Sequence, residues 1–236
     1  LQIKNLTLSH KKDNRIILSN FSSSFNDGDK AVIIGEEGNG KSTLLKWIYD
    51  KELITTYCDE DGTLIKSGEK LAYLPQEMPN EVLKLSVYDY FMQSDGFLSH
   101  SPKALCKMAK DFGLPDDFYY SEQIMETLSG GEKIKVSLIR LLLEEPTVLL
   151  LDEPSNDIDT DTLCLLEKII NDFKHIVIFI SHDEVLIENT ANMVIHLEQI
   201  KRKTESRYTV TRLPYLDYME ERRRDFNNQE RVAEND

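Results

Sequence analysis

Gly35-Glu36-Glu37-Gly38-Asn39-Gly40-Lys41-Ser42 fits G-x-x-x-x-G-K-[ST], with the buried apolar run Ala31–Ile34 before it and a helical pattern near Lys41–Tyr49 after it. Glycines at those positions let the backbone fold around phosphates and aim its N–H groups inward. The start of the following helix adds positive potential, Lys41 reaches the outer phosphates, and the Ser42 hydroxyl can ligate Mg²⁺. A chain of this length would meet the pattern by chance in roughly 1% of cases, given average residue usage. The expected contact set is Gly35, Glu36, Glu37, Gly38, Asn39, Gly40, Lys41, Ser42 and Thr43. The two glutamates are compatible with polyphosphate only if their side chains point away from the cradle.

A phosphate loop of this kind needs an acid on a neighbouring strand. Thr147-Val148-Leu149-Leu150-Leu151-Asp152-Glu153 supplies one, as an apolar strand ending in two carboxylates at the edge where open α/β sheets bind ligands. Asp152 is placed to hold Mg²⁺, and Glu153 to orient and deprotonate an attacking water. His182 follows a third buried strand, Ile176–Ile180, and from that edge can reach an outer phosphate. Gln76, after a short strand, can touch Mg²⁺ or the water.

Leu128-Ser129-Gly130-Gly131-Glu132 opens a helical stretch with capping-box spacing. Two consecutive glycines weaken a helix start, so they suggest close approach of the backbone to a ligand. With Ser129 they form a second anion site. Continuous apolar strands alternating with helices imply a mostly parallel sheet covered on both faces. Leu1 to about Phe25 alternates and reads as antiparallel strands, and 80–127 as helices with turns.

The chain has 236 residues with 42 acidic and 28 basic groups, a net charge of −14. That is one large domain, or one domain with an appendage. Residues 201–236 hold nine basic and eight acidic groups, so the body before them carries the negative charge. The balance argues against non-specific nucleic-acid binding by the whole surface. No apolar run approaches the ~18 residues needed to span a membrane, and no signal segment opens the chain. Cys58, Cys106 and Cys164 are too far apart for a zinc knuckle or a disulfide framework and point to a reducing compartment. The start at Leu1 and the end at Asp236 read as cuts through a longer polypeptide.

Gly35–Ser42, Gln76, Leu128–Glu132, Leu149–Glu153 and His182 stand in the order of an ATP-binding-cassette domain, and the resemblance covers about residues 1–200. It implies a P-loop NTPase fold with a mixed, largely parallel core sheet, an N-terminal antiparallel part and a helical subdomain at about 77–127. It also implies ATP and Mg²⁺ as cofactors, with Glu153, His182, Gln76 and Lys41 in catalysis and Ser42, Gln76 and Asp152 at the metal. Two cassettes would pair head to tail, with Ser129, Gly130 and Gly131 closing over the partner's nucleotide. ATPase activity of one isolated cassette would then be weak.

Tyr73-Leu74-Pro75-Gln76-Glu77 and Asp152-Glu153-Pro154-Ser155-Asn156-Asp157-Ile158-Asp159 are similar to phrases of the ABC-F group, cytoplasmic twin-cassette proteins that act on the ribosome. Residues 201–236 resemble that group's strand and turn leading into a charged linker helix, with Tyr215, Tyr218, Met219, Phe226 and Ala233 at helical spacing and Arg222–Arg224 as a solvated run. Asp157 departs from the usual histidine, and Glu37 from a small or amide residue. The aromatic that stacks on the base is missing, and His10 falls near its place. Only 35 positions separate Lys41 from Gln76, too few for an arm subdomain, which is closer to the antibiotic-resistance members. The expected partners are a second cassette of the same polypeptide and the ribosome with its rRNA, without membrane insertion. The alternative is the ATPase subunit of a membrane transporter, in which 77–127 would dock on membrane domains. Intact Glu153 and His182 favour turnover over a purely nucleotide-gated clamp.

Overall fold

The computed structural model describes residues 1–200 and 205–233, with side chains as far as Asp225. Two sheets organise them. In the first, β1 (Gln2–His10) lies between β2 (Ile16–Ser24) and β4 (Cys58–Ile65), antiparallel to both. Ile3 and Leu6 are both fully buried although three residues apart, a spacing that would face opposite ways in a regular strand. A register shift between them, with Asn5 at φ 51°, restores the inward direction. Asn20, also at φ 51°, does the same between Leu18 and Phe21 on β2. Asparagine tolerates this left-handed conformation better than most residues.

The second sheet has the order β5-β6-β7-β3-β8-β9. Strands β3 (Lys30–Ile34), β5 (Leu71–Leu74), β6 (Val148–Asp152), β7 (Ile176–Ile180) and β8 (Met193–Ile200) run parallel. Their side chains divide two cores by alternation. Val148, Leu150, Ile176, Ile178 and Ile180 face α1 (Lys41–Tyr49) and the antiparallel sheet. Leu149, Leu151, Val177 and Phe179 face the helical layer. Burial on both faces explains why these strands read as unbroken apolar runs.

The helical layer comprises α2 (Asn80–Leu83), α3 (Val87–Met92), α4 (Asp95–Ser99), α5 (Pro102–Asp111) and α6 (Gly130–Leu143), with α7 (Thr160–Asp172) and α8 (Glu184–Thr190) behind β6 and β7. Ser86, Ser94 and Ser101 accept the capping hydrogen bonds of α3, α4 and α5, which sets each helix start by local chemistry. Phe91 is fully buried, with the rings of Phe97, Phe118 and Tyr119 within 5.6 Å of its centroid.

The sheet continues past residue 200. Strand β9 (Glu205–Thr211) pairs antiparallel with β8 from Ile200↔Glu205 to Val194↔Thr211, so position 200 falls between two paired strands. Helix α9 (Tyr215–Ala233) then returns over β8. Tyr218 is buried with its hydroxyl 2.8 Å from His196 Nδ1, and Arg222 donates to Glu198 Oε1 at 2.6 Å. Arg222 is therefore an anchor and differs from the solvated run its sequence suggests, because the acid across from it lies on β8. Met219 stays 40% exposed. The side chains of Phe226 and Ala233 lie outside those described.

Phe91→Ala removes the centre of the helical layer's ring cluster. It should lower stability by about 3–5 kcal/mol, as for other buried aromatic truncations, read as a shifted urea midpoint by far-UV circular dichroism.

Candidate functional site

Parallel strands β3, β6 and β7 end at one edge, and the loops that leave them meet there. From β3, Gly35 takes φ 148°, and any Cβ on it would sit 2.3 Å from the Leu197 carbonyl oxygen. Gly40 takes φ 87°, and a Cβ there would lie 2.1 Å from Ile17 Cγ2. Neither position admits a side chain. Asn39 is buried and donates from Nδ2 to Leu197 O at 3.0 Å, which ties the loop to β8. Its other amide atom, Oδ1, is buried without a hydrogen-bond partner. Glu36 and Glu37 are exposed, but Glu37 lines the cavity and acts on Lys41, so of the two only Glu36 lies outside that lining.

Lys41 Nζ donates to Gly35 O at 2.7 Å and Glu36 O at 3.1 Å, across the mouth of the loop. Burial pulls its pKa down, opposed by Glu153, Glu37 and Asp152. Ser42 Oγ donates to Asp152 Oδ1 at 2.9 Å, and Tyr73 Oη donates to Asp152 Oδ2 at 3.1 Å. Asp152 is 2% exposed; burial raises its pKa, and the Ser42 and Tyr73 hydrogen bonds hold it down. Glu153 follows with φ 51°, a strained conformation for a non-glycine residue, held by Glu153 N donating to Ile180 O at 3.0 Å. One carboxylate oxygen, Oε1, is 3.1 Å from His182 Nε2; the other, Oε2, is buried with no hydrogen-bond partner. Burial also raises the Glu153 pKa, opposed first by His182 and then by Lys41.

Beside these groups lies one cavity of about 510 Å³, lined by His10, Glu37, Gly38, Gly40, Lys41, Ser42, Thr43, Gln76, Glu153 and His182, while Gly35, Glu36, Asn39 and Asp152 lie outside its lining. Arg15, Ile17, Tyr57 and Asn156 line it too. Sequence reasoning missed the first three as site residues. Ile17 sits on β2 and Arg15 just before it, a stretch legible only as packing, and nothing local marks Tyr57, which the β1–β4 pairing brings beside His10. A larger cleft of about 940 Å³ between α9 and the β8–β9 edge carries no phosphate-binding loop.

The residues suit a Mg²⁺-bound polyphosphate. The Ser42 hydroxyl and the Asp152 carboxylate supply hard oxygen ligands side by side. Among the described residues no group of three or more His, Cys, Asp or Glu can hold a metal by itself. That matches Mg²⁺ sites, which use one or two protein oxygens and complete the shell with phosphates and water. The partnerless Glu153 Oε2 is free to accept a proton from water.

Ser129, Gly130 and Gly131 do not line this cavity. Ser129 caps α6 in a full capping box, with Glu132 N donating to its Oγ at 3.2 Å and its own N donating to Glu132 Oε2 at 2.8 Å. The glycines have a reason that the sequence reading did not foresee. A Cβ on Gly130 would meet Asp157 O at 2.3 Å, and one on Gly131 would meet Thr162 Oγ1 at 2.8 Å. The close approach is to the chain's own loop after β6 for Gly130 and to the first turn of α7 for Gly131.

Residues 18–156 match the family described as ABC transporter. The chain is 39% identical over 184 residues to the ATP-binding protein Uup of Buchnera aphidicola subsp. Acyrthosiphon pisum, covering 76% of this chain and 29% of that protein. It is 30% identical over 226 residues to the ABC transporter ATP-binding protein YfmR of Bacillus subtilis, covering 94% of this chain and 34% of that protein. It is also 30% identical over 226 residues to the energy-dependent translational throttle protein EttA of Escherichia coli K12, covering 78% and 39%. The chain thus spans about a third of the length of these relatives. Among solved structures, an ATP-binding subunit of an ABC transporter superposes with a TM-score of 0.66 at 19% identity, over 83% of this chain and 84% of that one. A metal-chelate type ABC transporter in an inward-facing conformation gives 0.65 at 19%, over 88% and 82%. Both share the fold.

Gly130→Ala separates the two reasons for that glycine. Helix propensity alone would add about 1 kcal/mol. The clash with Asp157 O should outweigh it and cost about 1–3 kcal/mol net, measured by urea denaturation of the chain without nucleotide. Unchanged or increased stability would leave only ligand approach as the reason for Gly130.

Proposed function

The chain belongs to the ABC transporter family, whose cassettes are ATPases, and on that premise we propose that it is an ABC-F cassette that binds and hydrolyses MgATP as half of a two-cassette protein acting on the ribosome. The observation that carries the hydrolytic part is the convergence of Lys41, Ser42, Asp152, Glu153 and His182 at one sheet edge, with a buried carboxylate oxygen left open. Lys41, the N–H groups of 35–42 and the start of α1 hold the phosphates. Ser42 and Asp152 would hold Mg²⁺, with Gln76 lining the same cavity; the ion would supply charge neutralisation on the transferred phosphoryl group. Glu153 orients water and takes its proton, a contribution of about 10²–10⁴ in rate. His182, exposed and in reach of Glu153, faces the outer phosphate.

Ser129 is exposed, Gly130 partly exposed and Gly131 buried, and none of the three lines the chain's own cavity. That supports a composite arrangement in which they complete a partner cassette's site, and it makes the isolated chain a slow ATPase. Relatedness to a protein named as a translational throttle supports action in translation, together with the Asn156 stretch and the docked helix α9. Between Lys41 and Gln76 the chain is taken up by α1, the 3₁₀ turn Lys51–Ile54, β4 and β5. No arm is inserted there, which favours the antibiotic-resistance type over arm-bearing members. Residue His10 and its neighbours Arg15 and Tyr57 take the nucleoside end.

The second reading, a transporter ATPase subunit, draws on the helical layer at 80–127 and on the shared fold with transporter subunits. No helix among the described residues is long and apolar enough to cross a membrane.

In the full polypeptide that contains this cassette, Glu153→Gln should cut turnover by about 10²–10⁴ while leaving ATP affinity intact, and the ATP-loaded variant should sediment with ribosomes. Unchanged turnover would remove Glu153 from the role of base. Recovery with a membrane-domain protein in place of ribosomes would select the transporter reading.

A further inference from the structure

Asp152 is gripped at both oxygens by hydroxyl groups from different elements. Ser42, in the first turn of α1, donates to Oδ1 at 2.9 Å. Tyr73, on β5, donates to Oδ2 at 3.1 Å. A serine hydroxyl has one proton and two lone pairs. Spending the proton on Asp152 turns the lone pairs the other way, toward the cavity where a cation bound to phosphate would sit. That orientation holds only if the carboxylate itself cannot rotate, and nothing about Ser42 prevents rotation.

Tyr73 supplies the second point of fixation, and its own ring is held firmly. It packs in the apolar cluster between α1 and the sheet and lies against Tyr49, at the end of α1, with ring centroids 5.4 Å apart. Its strand is in register with β6, Tyr73 opposite Leu150 and Leu74 opposite Leu151, which brings the phenol alongside the strand's terminal acid. Packing alone would be served equally by phenylalanine. The hydroxyl is what the carboxylate requires.

We propose that Tyr73 is a positioning residue for the metal: its hydroxyl locks the Asp152 carboxylate so that Ser42 presents its lone pairs to a divalent cation bound with nucleotide. The role resembles that of outer-shell partners that orient metal ligands. It rests on the reading of the cavity as a Mg²⁺–nucleotide site. Tyr73 touches neither nucleotide nor metal and acts through Asp152.

The test uses the full chain and a fluorescent ATP analogue, titrated with Mg²⁺ and, separately, held in EDTA. Tyr73→Phe should raise the half-saturating Mg²⁺ concentration about ten- to hundredfold, the worth of one hydrogen bond to a charged carboxylate, and leave metal-free affinity unchanged. In a Ser42→Ala background the same change should add no further effect, because both act through one carboxylate. An unchanged Mg²⁺ midpoint would overturn the proposal. So would an equal loss of metal-free and metal-bound affinity, which would mark a merely structural tyrosine, or full additivity with Ser42→Ala. Wild-type chain that binds the analogue without any response to Mg²⁺ would sink the site reading itself, a result distinct from the failure of Tyr73 alone.

Discussion

The flush ending of β3, β6 and β7 is the constraint on which the cavity depends. These strands are parallel and buried on both faces, so their lengths are fixed by the two cores they separate and their polar ends must emerge together. β7 lies between the other two, and at this edge Ser42, after β3, meets Asp152, at the end of β6. A charge as buried as Asp152 is tolerable only with partners. It has two hydroxyls, and each comes from an element that the sheet has already positioned.

Burial acts on Lys41, Asp152 and Glu153 in the direction of neutrality: it lowers the first and raises the other two. Their mutual attraction opposes it. The site therefore holds opposite charges close together in a partly dry setting, where interactions with an incoming anion are stronger than in water. Lys41 meanwhile rests on the carbonyls of its own loop, bonds that phosphate oxygens can replace without leaving the ammonium bare. The negative charges of Glu36 and of Glu37, which lines the cavity, are exposed to solvent and screened.

How legible the molecule was in its sequence depended on the range of the contacts involved. The loop Gly35–Ser42, the strand ending at Asp152-Glu153 and the capping box at Ser129–Glu132 are local patterns, and each forms where its spacing says. The bulges at Asn5 and Asn20 break the two-residue period and are visible only once the partner strand shows which way Ile3 and Phe21 must face. Strand β4 is acidic and polar on its outer face and owes its place to pairing with β1. Gly130 reads locally as a ligand contact, and its approach to Asp157, 27 positions away in the chain, is a further reason for glycine that no local pattern shows. Arg15, Tyr57 and the Tyr73 hydroxyl belong to the same class: their roles are set by what lies across a sheet.

Strand β8 carries a consequence of its own. Within three consecutive residues it serves two masters: the Leu197 carbonyl abuts Gly35 and holds Asn39, while His196 and Glu198 hold Tyr218 and Arg222 of α9. Side chains on a strand alternate faces, so a one-residue slip exchanges them. Such a slip would bury the two polar anchors, free the helix and pull the carbonyl from the phosphate loop in the same step. The segment 196–198 thus works as a gauge block, setting the distance and angle between nucleotide and departing helix, and its length is less free to vary than its composition.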